Sequence, residues 1–458
     1  MFIVLDLSKR NIILAIFVVF ACLVIGSLTG YLTYDFLRTD VFDGVYLDNL
    51  HLGRLSKQAA RQRIEEYLAP RLKEPIHLVV DDQVYTYTPQ ALGLSFNYEA
   101  ITELAFQAGR RGNWWQQRAA RQRILKSGLR ITPIFQWNDN QLQKALVTLG
   151  KKVERRPVSA RWEVSSGKQV KLVPALSGRK IAVDELKAKL ESVLTDDPPY
   201  EIDLPFVIVK PQLDTEEAAN LGVEEVISSF QTYFNPENTG RVKNITLAAQ
   251  AIDGKILLPG ETFSFNRCVG PRIPESGYEE APIIVNGELV PGIGGGVCQV
   301  STTLYNAAVL ADLGILERNH HSLPSAYVEL GRDATVFYDY LDLKLHNQSA
   351  QPVVIDAEVK DNYIEVRLLG KWVYDWRVQV EVEKLETIPP EWKEEPDPSL
   401  EPGDRRVVKE AMPGSKVRVW KKYVGPQGLI SREILSVDTY QPINGVVKIP
   451  ADSYLATN

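Results

Sequence analysis

The stretch "PGIGGGVCQVSTTLYNAAVLADLGILERNHHSLPSAY", residues 291–327, sets one cysteine between a glycine cluster and an apolar run, with two histidines beyond it. Glycines 292, 294, 295 and 296 remove side chains just before Cys298, so the backbone there can take positive φ and another chain can approach closely. Val300, Leu304, Ala307, Ala308 and Ala311 recur at helical spacing, and Gly314 fits the position that ends a helix. Cys298 therefore belongs at a helix N-terminus, where free N–H groups and the macrodipole favour thiolate over thiol. The same amides, with Gly294, Gly295, Gly296 and the neighbouring Gln299, are candidates for holding a substrate oxyanion. Ser301, Thr302 and Thr303 read as capping and first-turn residues.

A cysteine nucleophile needs a base and a group to orient that base. His320 and His321 follow the strand-like "ILER", and "ATVFYDYLDLKLHN" alternates as two strands would. A histidine at that sheet edge could face Cys298 with Asp342 or Asn347 behind it. Neighbouring strand residues point to opposite faces, so one of the two histidines at most would serve. Three other readings stay open: a small buried residue at a tight turn, a disulfide with Cys268, and a metal ligand with His320 and His346. The last matches no known ligand spacing, and no metal or cofactor is expected.

Outward from this stretch, the chain has 458 residues, 45% hydrophobic and 24% charged, which allows two to four domains. Its net charge of −6 is spread along the chain, so nothing calls for a nucleic-acid partner. Three cysteines, Cys22, Cys268 and Cys298, exclude a disulfide framework and leave room for a single bridge.

From Ile12 to Leu32 no residue is charged, and 21 residues at ~1.5 Å each make about 31 Å, enough for a bilayer's hydrocarbon layer. Lys9 and Arg10 precede the run, which predicts a cytoplasmic tail (1–11), a transmembrane helix (12–33) and an extracytoplasmic remainder. The apolar run exceeds that of a signal peptide, and no clear A-x-A site follows.

Past the anchor, Ser56 caps a predicted helix to about Leu68, and "PIHLVV" and "VYTY" make a hairpin around "DDQ". A looser echo runs from 136 to 206: helical "QWNDNQLQKALVTLGKKV", strands "VSARWEV" and "VKLVPA", helical "AVDELKAKLESVL", then "YEIDLPFVIV". The chain thus uses an α+β plan twice, over 42–130 and 131–210. Between the copies, Arg110, Arg111, Arg118, Arg121, Arg123, Lys126 and Arg130 accompany Trp114 and Trp115. That set suits an anionic, ring-containing polymer, with Arg111, Trp114 and Trp115 as candidate contacts, and equally suits a solvated helix whose tryptophans pack on a neighbour.

The phrases "YTYTPQALGLSFN", "GRRGNWW" and "LVPALSGRKIAVDEL" resemble peptidoglycan-binding-like repeats. "RVKNITLAAQAIDGKILLPGETFSFNRCVGPR" and "GYEEAPIIVNGELVPGIGGGVCQVSTTLYNAAVLADLGILERNHHSLPSAYVELGRDATVFYDYLDLKLHNQS" resemble the VanW family of envelope proteins. That likeness implies a cell-wall setting and names no reaction; the family pattern does not call for Cys268. The order helix-borne Cys, then His, then a polar residue is similar, by arrangement only, to the papain-like plan of cell-wall cysteine peptidases. After "VVIDAEVKDNYIEVRLLG", a proline-rich acidic stretch (373–400) reads as a linker. Residues 401–458, marked by Gly403, Gly414, Gly425, Gly428 and Gly445, resemble a small β module of wall-associated proteins.

The expected architecture is α+β multidomain: a transmembrane helix, two α+β repeats, a mixed α+β VanW-like core (211–372) and a small all-β C-terminal module. Two roles follow for a single-pass membrane protein whose partner is peptidoglycan or another wall polymer: docking on that polymer, or thiol chemistry on its peptides by hydrolysis or acyl transfer.

Overall fold

The computed structural model describes residues 9–165, 169–196, 198–285, 288–401 and 403–451, without the side chains of 9–13, 28, 31–37 and 284–289. Lys9–Leu37 is one helix. Among the described residues, no helix is long and apolar enough to cross a membrane. The side chains described in that helix are 14–27, 29 and 30, whereas the expected span runs from 12 to 33; most of the expected tail, 1–8, lies outside the described residues.

The chain forms two compact units, one of residues 1–157 with 177–210, the other of 158–176 with 211–458. In the first, the Ser56 hydroxyl accepts from Ala59 N and caps the helix Lys57–Leu68. Ile76–Val80 and Gln83–Tyr87 pair around Asp81 and Asp82, both at positive φ, as a two-residue hairpin turn needs. The two sequence copies do not fold separately. Strand Tyr200–Asp203 from the second pairs in parallel with Ile76–Val80 from the first, and one core joins Ile76, Leu78 and Leu94 to Leu142, Leu149, Leu186 and Tyr200. A periodicity argument sees each copy's apolar face but not which partner covers it.

In the second unit, the helix Val297–Leu310 runs through the centre and is buried on nearly every face. The helix Thr239–Ile252 packs on it through Ile245, Ala248 and Ile252. An antiparallel sheet, in the order Glu225–Tyr233, Tyr363–Gly370, Val353–Lys360, Ile256–Leu257, supplies Ile355, Ile364, Val366 and Leu368 to the same core. A second sheet orders Thr262–Ser264, Lys344–His346 and Gly314–Glu317. Only Lys344–His346 of the two strands expected in 334–347 forms; Phe337 instead bridges Leu341 around Asp339 at φ 64°.

The expected linker is also structured. Arg377–Ile388 is a long strand paired with Gly414–Gly425, which pairs in turn with Gly428–Tyr440. Trp392–Asp397 is an edge strand on Gly445–Pro450, and Pro396 is tolerated there because an edge strand has a side without ladder bonds. Reading prolines and acidic residues as a linker overlooked the period-two "RVQVEVEKL", which marks the start of the module.

Candidate functional site

Cys298 is the second residue of the central helix, where backbone N–H groups have no partner four residues back. The glycines before it serve the chain itself. A Cβ on Gly295 would lie 2.7 Å from the Ala281 carbonyl oxygen, and one on Gly296, at φ 109°, would lie 2.9 Å from Ile245. Asn244, fully buried, fixes this turn by donating to the carbonyls of Glu279 and Gly295 and accepting from Glu279 N. Gly295 and Gly296 are thus buried structural residues rather than a substrate-facing loop. Gln299, expected to face substrate, is 1% exposed: its amide donates to Thr232 Oγ1 and the Tyr233 carbonyl and accepts from Arg241.

The hydroxyls expected only to cap the helix tie it to the 334–336 segment. Ser301 donates to the Ala334 carbonyl at 2.7 Å, and Thr302 Oγ1 accepts from Ala334 N at 2.9 Å. That clamp brings Thr335 Oγ1 to 3.5 Å and the Val336 carbonyl to 3.4 Å from Cys298 Sγ, with Val336 N donating to the sulfur at 3.5 Å. Cys298 is half-buried and free, as is Cys268, whose thiol donates to the Ala251 carbonyl and is pushed up by burial. Among the described residues no group of three or more His, Cys, Asp or Glu could hold a metal ion.

The structure brings Cys298 and His321 together, and sets Asp333 behind the histidine. His321 Nδ1 donates to Asp333 Oδ2 at 2.6 Å, and His321 N donates to the same oxygen at 2.6 Å. With Nδ1 so committed, Nε2 is the nitrogen left for the thiol. Burial works hardest against ionising the Cys298 thiol, yet the hydrogen bond and charge of His321, with help from Val336 and Thr335, outweigh it and hold the thiol down at about 7. Burial likewise opposes charging His321, and the hydrogen bonds to Asp333 and Cys298 overcome it, raising the imidazole to about 9. Between those values the pair is thiolate and imidazolium. Arg241 and Arg272 lend positive charge to the same sulfur. The Arg272 guanidinium lies 5.8 Å from the Phe265 ring and 5.7 Å from the Tyr338 ring; its Nη2 donates to Asn266, while Nε and Nη1 are buried with no hydrogen-bond partner among the described residues.

The other sequence candidates lie elsewhere. His320 Nδ1 donates to the His321 carbonyl at 2.7 Å, and its ring packs 5.3 Å from Tyr440. Asp342 accepts from Ser264, Asn266 N and Leu343 N, so it shapes a turn instead of orienting a histidine. Asn347 donates to the carbonyls of Leu257 and Gln351. Asp333 was missed because it sits in an unpatterned loop; the one signal was a carboxylate 12 residues after His321 that could fold back to it.

In the first unit, Asn113 and Gln116 form a capping box at the start of helix Trp114–Ser127. Trp115 is 72% exposed with its ring edge on Trp114. Arg111, Arg118, Arg123, Lys126 and Arg130 are exposed, and Arg111 and Arg130 line a cavity of about 390 Å³. Arg110 is not part of that surface: it donates to the carbonyls of Arg38, Asp40 and Phe106, between the Phe42 and Phe106 rings.

Residues 240–369 match the family model described as "VanW like protein". A relative from Bacillus subtilis (strain 168), the uncharacterized protein YoaR, is 38% identical over 227 residues, half of this chain and 73% of its own length. The chain belongs to the VanW family. The "Vancomycin B-type resistance protein VanW" of Enterococcus faecalis is 34% identical over 114 residues, 24% of this chain and 42% of its own. Residues 85–203 match the "Putative peptidoglycan binding domain" model and 379–449 the G5 domain model. Among solved structures, an IgA1 protease G5 domain is similar at 24% identity, over 17% of this chain and 93% of its own, with a TM-score of 0.13. Together the three domains support a cell-wall associated protein, with a G5-type β module following the VanW core.

Proposed function

We propose that this VanW-family protein is a thiol acyltransferase or hydrolase acting on wall peptides, with Cys298 as nucleophile, His321 as acid and base, and Asp333 as the residue that orients His321. The observation that carries the reading is the imidazole of His321, bonded to the Asp333 carboxylate at 2.6 Å, whose charge holds down the thiol of the half-buried Cys298. In the first half-reaction the thiolate attacks a peptide carbonyl carbon. As the C–N bond breaks, the imidazolium gives its Nε2 proton to the departing amine, leaving a thioester on Cys298. An acceptor amine, or water, then attacks the thioester, loses its proton to His321 and restores the thiolate. The positive end of the helix dipole at Cys298 favours the oxyanion formed in each half.

The peptidoglycan-binding match supports wall polymer as the substrate-bearing partner, with Trp114, Trp115 and the exposed Arg111 and Arg118 as its contacts. The apolar helix Lys9–Leu37 is proposed as a single-pass anchor with its start in the cytoplasm: Leu14, Phe17, Val18, Phe20, Leu23 and Ile25 are all exposed, and they surround the helix rather than forming one stripe.

The test is incubation of the protein with purified muropeptides, followed by mass spectrometry of the intact chain. A thioester adduct on Cys298, absent from Cys298→Ala, is expected, along with peptide products that only the unaltered protein makes. No adduct and no product, with sacculus pelleting intact, would leave wall docking as the function.

A further inference from the structure

The Asp333 carboxylate is built from two domains. Its Oδ2 takes both bonds from His321, while its Oδ1 accepts from the Tyr440 hydroxyl at 2.5 Å and from Arg318 Nη2 at 3.3 Å. Tyr440 is the last residue of strand Gly428–Tyr440 in the G5 module, beyond the end of the VanW match at 369. It is fully buried, and its oxygen also accepts from Gly331 N at 2.7 Å. Two residues earlier, Asp438, 3% exposed, accepts from Arg318 Nη1 at 2.6 Å, and Gln441 N reaches the Ser322 carbonyl.

The charge balance of this buried cluster points the same way. Asp333 and Asp438 are two negative groups and Arg318 is one positive group, so the set is neutral only when His321 carries a proton. The other groups facing it are the hydroxyls of Tyr305 and Tyr327, the His320 ring on Tyr440, and Arg241 and Arg272 near the sulfur. A carboxylate gripped at both oxygens cannot rotate about its own axis, and a histidine bonded to it cannot swing from the thiol.

We infer that the G5 module is a working part of the thiol site, with Tyr440 a positioning residue that fixes Asp333 and, through it, His321 against Cys298. This rests on the proposed thiol chemistry. The module is therefore more than a wall-facing appendage: the VanW core alone lacks one of the groups that set its nucleophile.

The test is the pH profile of iodoacetamide labelling at Cys298 in the full chain, compared with Tyr440→Phe. Removing the hydroxyl leaves Oδ1 with the longer Arg318 bond alone, so the labelling midpoint should rise by about one unit and the rate at pH 7 should fall about fivefold. Trp420→Ala, elsewhere on the module, should label as the unaltered chain does. Should Tyr440→Phe fail to fold, Gly331→Ala gives a second route, since its Cβ would run into Val419 of the module and disturb the same seat from the core side. A depressed midpoint in the unaltered chain that stays put in a folded variant overturns the inference. A midpoint at the ordinary thiol value in the unaltered chain removes the thiol reading itself, and the inference with it.

Discussion

Replacing Asp333 with Asn keeps the shape of the side chain and removes its charge. In the native chain His321 stands at about 9 and Cys298 at about 7, although burial pulls each toward its neutral form. Without the carboxylate, the largest support for the imidazolium is gone, so His321 is neutral at pH 7 and the thiol faces burial without an ionic partner. The thiol then returns to about 9 or above, and its ionised fraction at pH 7 falls from about one half to about one hundredth, a loss of roughly fiftyfold in labelling rate. Stability falls too, by about 3–5 kcal/mol if Arg318 and His321 are both left short of a partner. The assay is iodoacetamide labelling of Cys298 by stopped time points and mass spectrometry at pH 6 to 10, with circular dichroism to show that the variant is folded. A folded Asp333→Asn chain that labels at the native rate, with the native midpoint, would refute the triad reasoning altogether.

Peptide turnover should be bell-shaped with limbs near 7 and 9, belonging to the pair rather than to either residue. Stability should follow the same window: the raised His321 contributes fully below its ordinary value and loses that as pH rises through about 9, while the depressed Cys298 loses its contribution as pH falls through about 7. Thermal melts of Cys298→Ser should lack the extra curvature that the native chain shows across that range. His321→Ala should slow labelling at pH 7 more than about tenfold while His320→Ala leaves it near native, since His320 is bonded away from the sulfur. Gly295→Ala should destabilise the fold by about 1–3 kcal/mol in chemical denaturation, because its Cβ meets a backbone oxygen that cannot step aside.

The local elements were legible where short-range rules decide them. The Ser56 cap, the Asp81–Asp82 turn and the cysteine at a helix start each follow from a few neighbouring residues. What escaped was long-range. The sequence around His321 offers Asp342 and Asn347 as equally polar followers, and only the return of the 331–336 segment over the central helix selects Asp333, through hydroxyls on Ser301 and Thr302 that local rules assign to capping. Gln299 next to the thiol looked substrate-facing because helix position alone does not say that Arg241 and Tyr233 surround it. Tyr440 lay beyond reach altogether, since it stands 107 positions along the chain from its partner in the site, Asp333, and no periodicity links a module's last strand to another domain's carboxylate.

The division of the chain at 157, 176 and 210 means that the backbone passes between the two units three times. The hairpin Arg161–Val164 with Val170–Val173 lies inside the stretch matched as wall-binding, yet it belongs to the second unit, where Trp162 and the preceding Ala160 are buried with Val226, Val354 and Leu369. A fragment beginning at 211 would therefore expose the apolar faces of Val226 and Leu369 that this hairpin covers. Cutting the chain at any one of these junctions therefore divides one unit or the other, while a single proteolytic nick in any one crossing leaves the two units covalently joined.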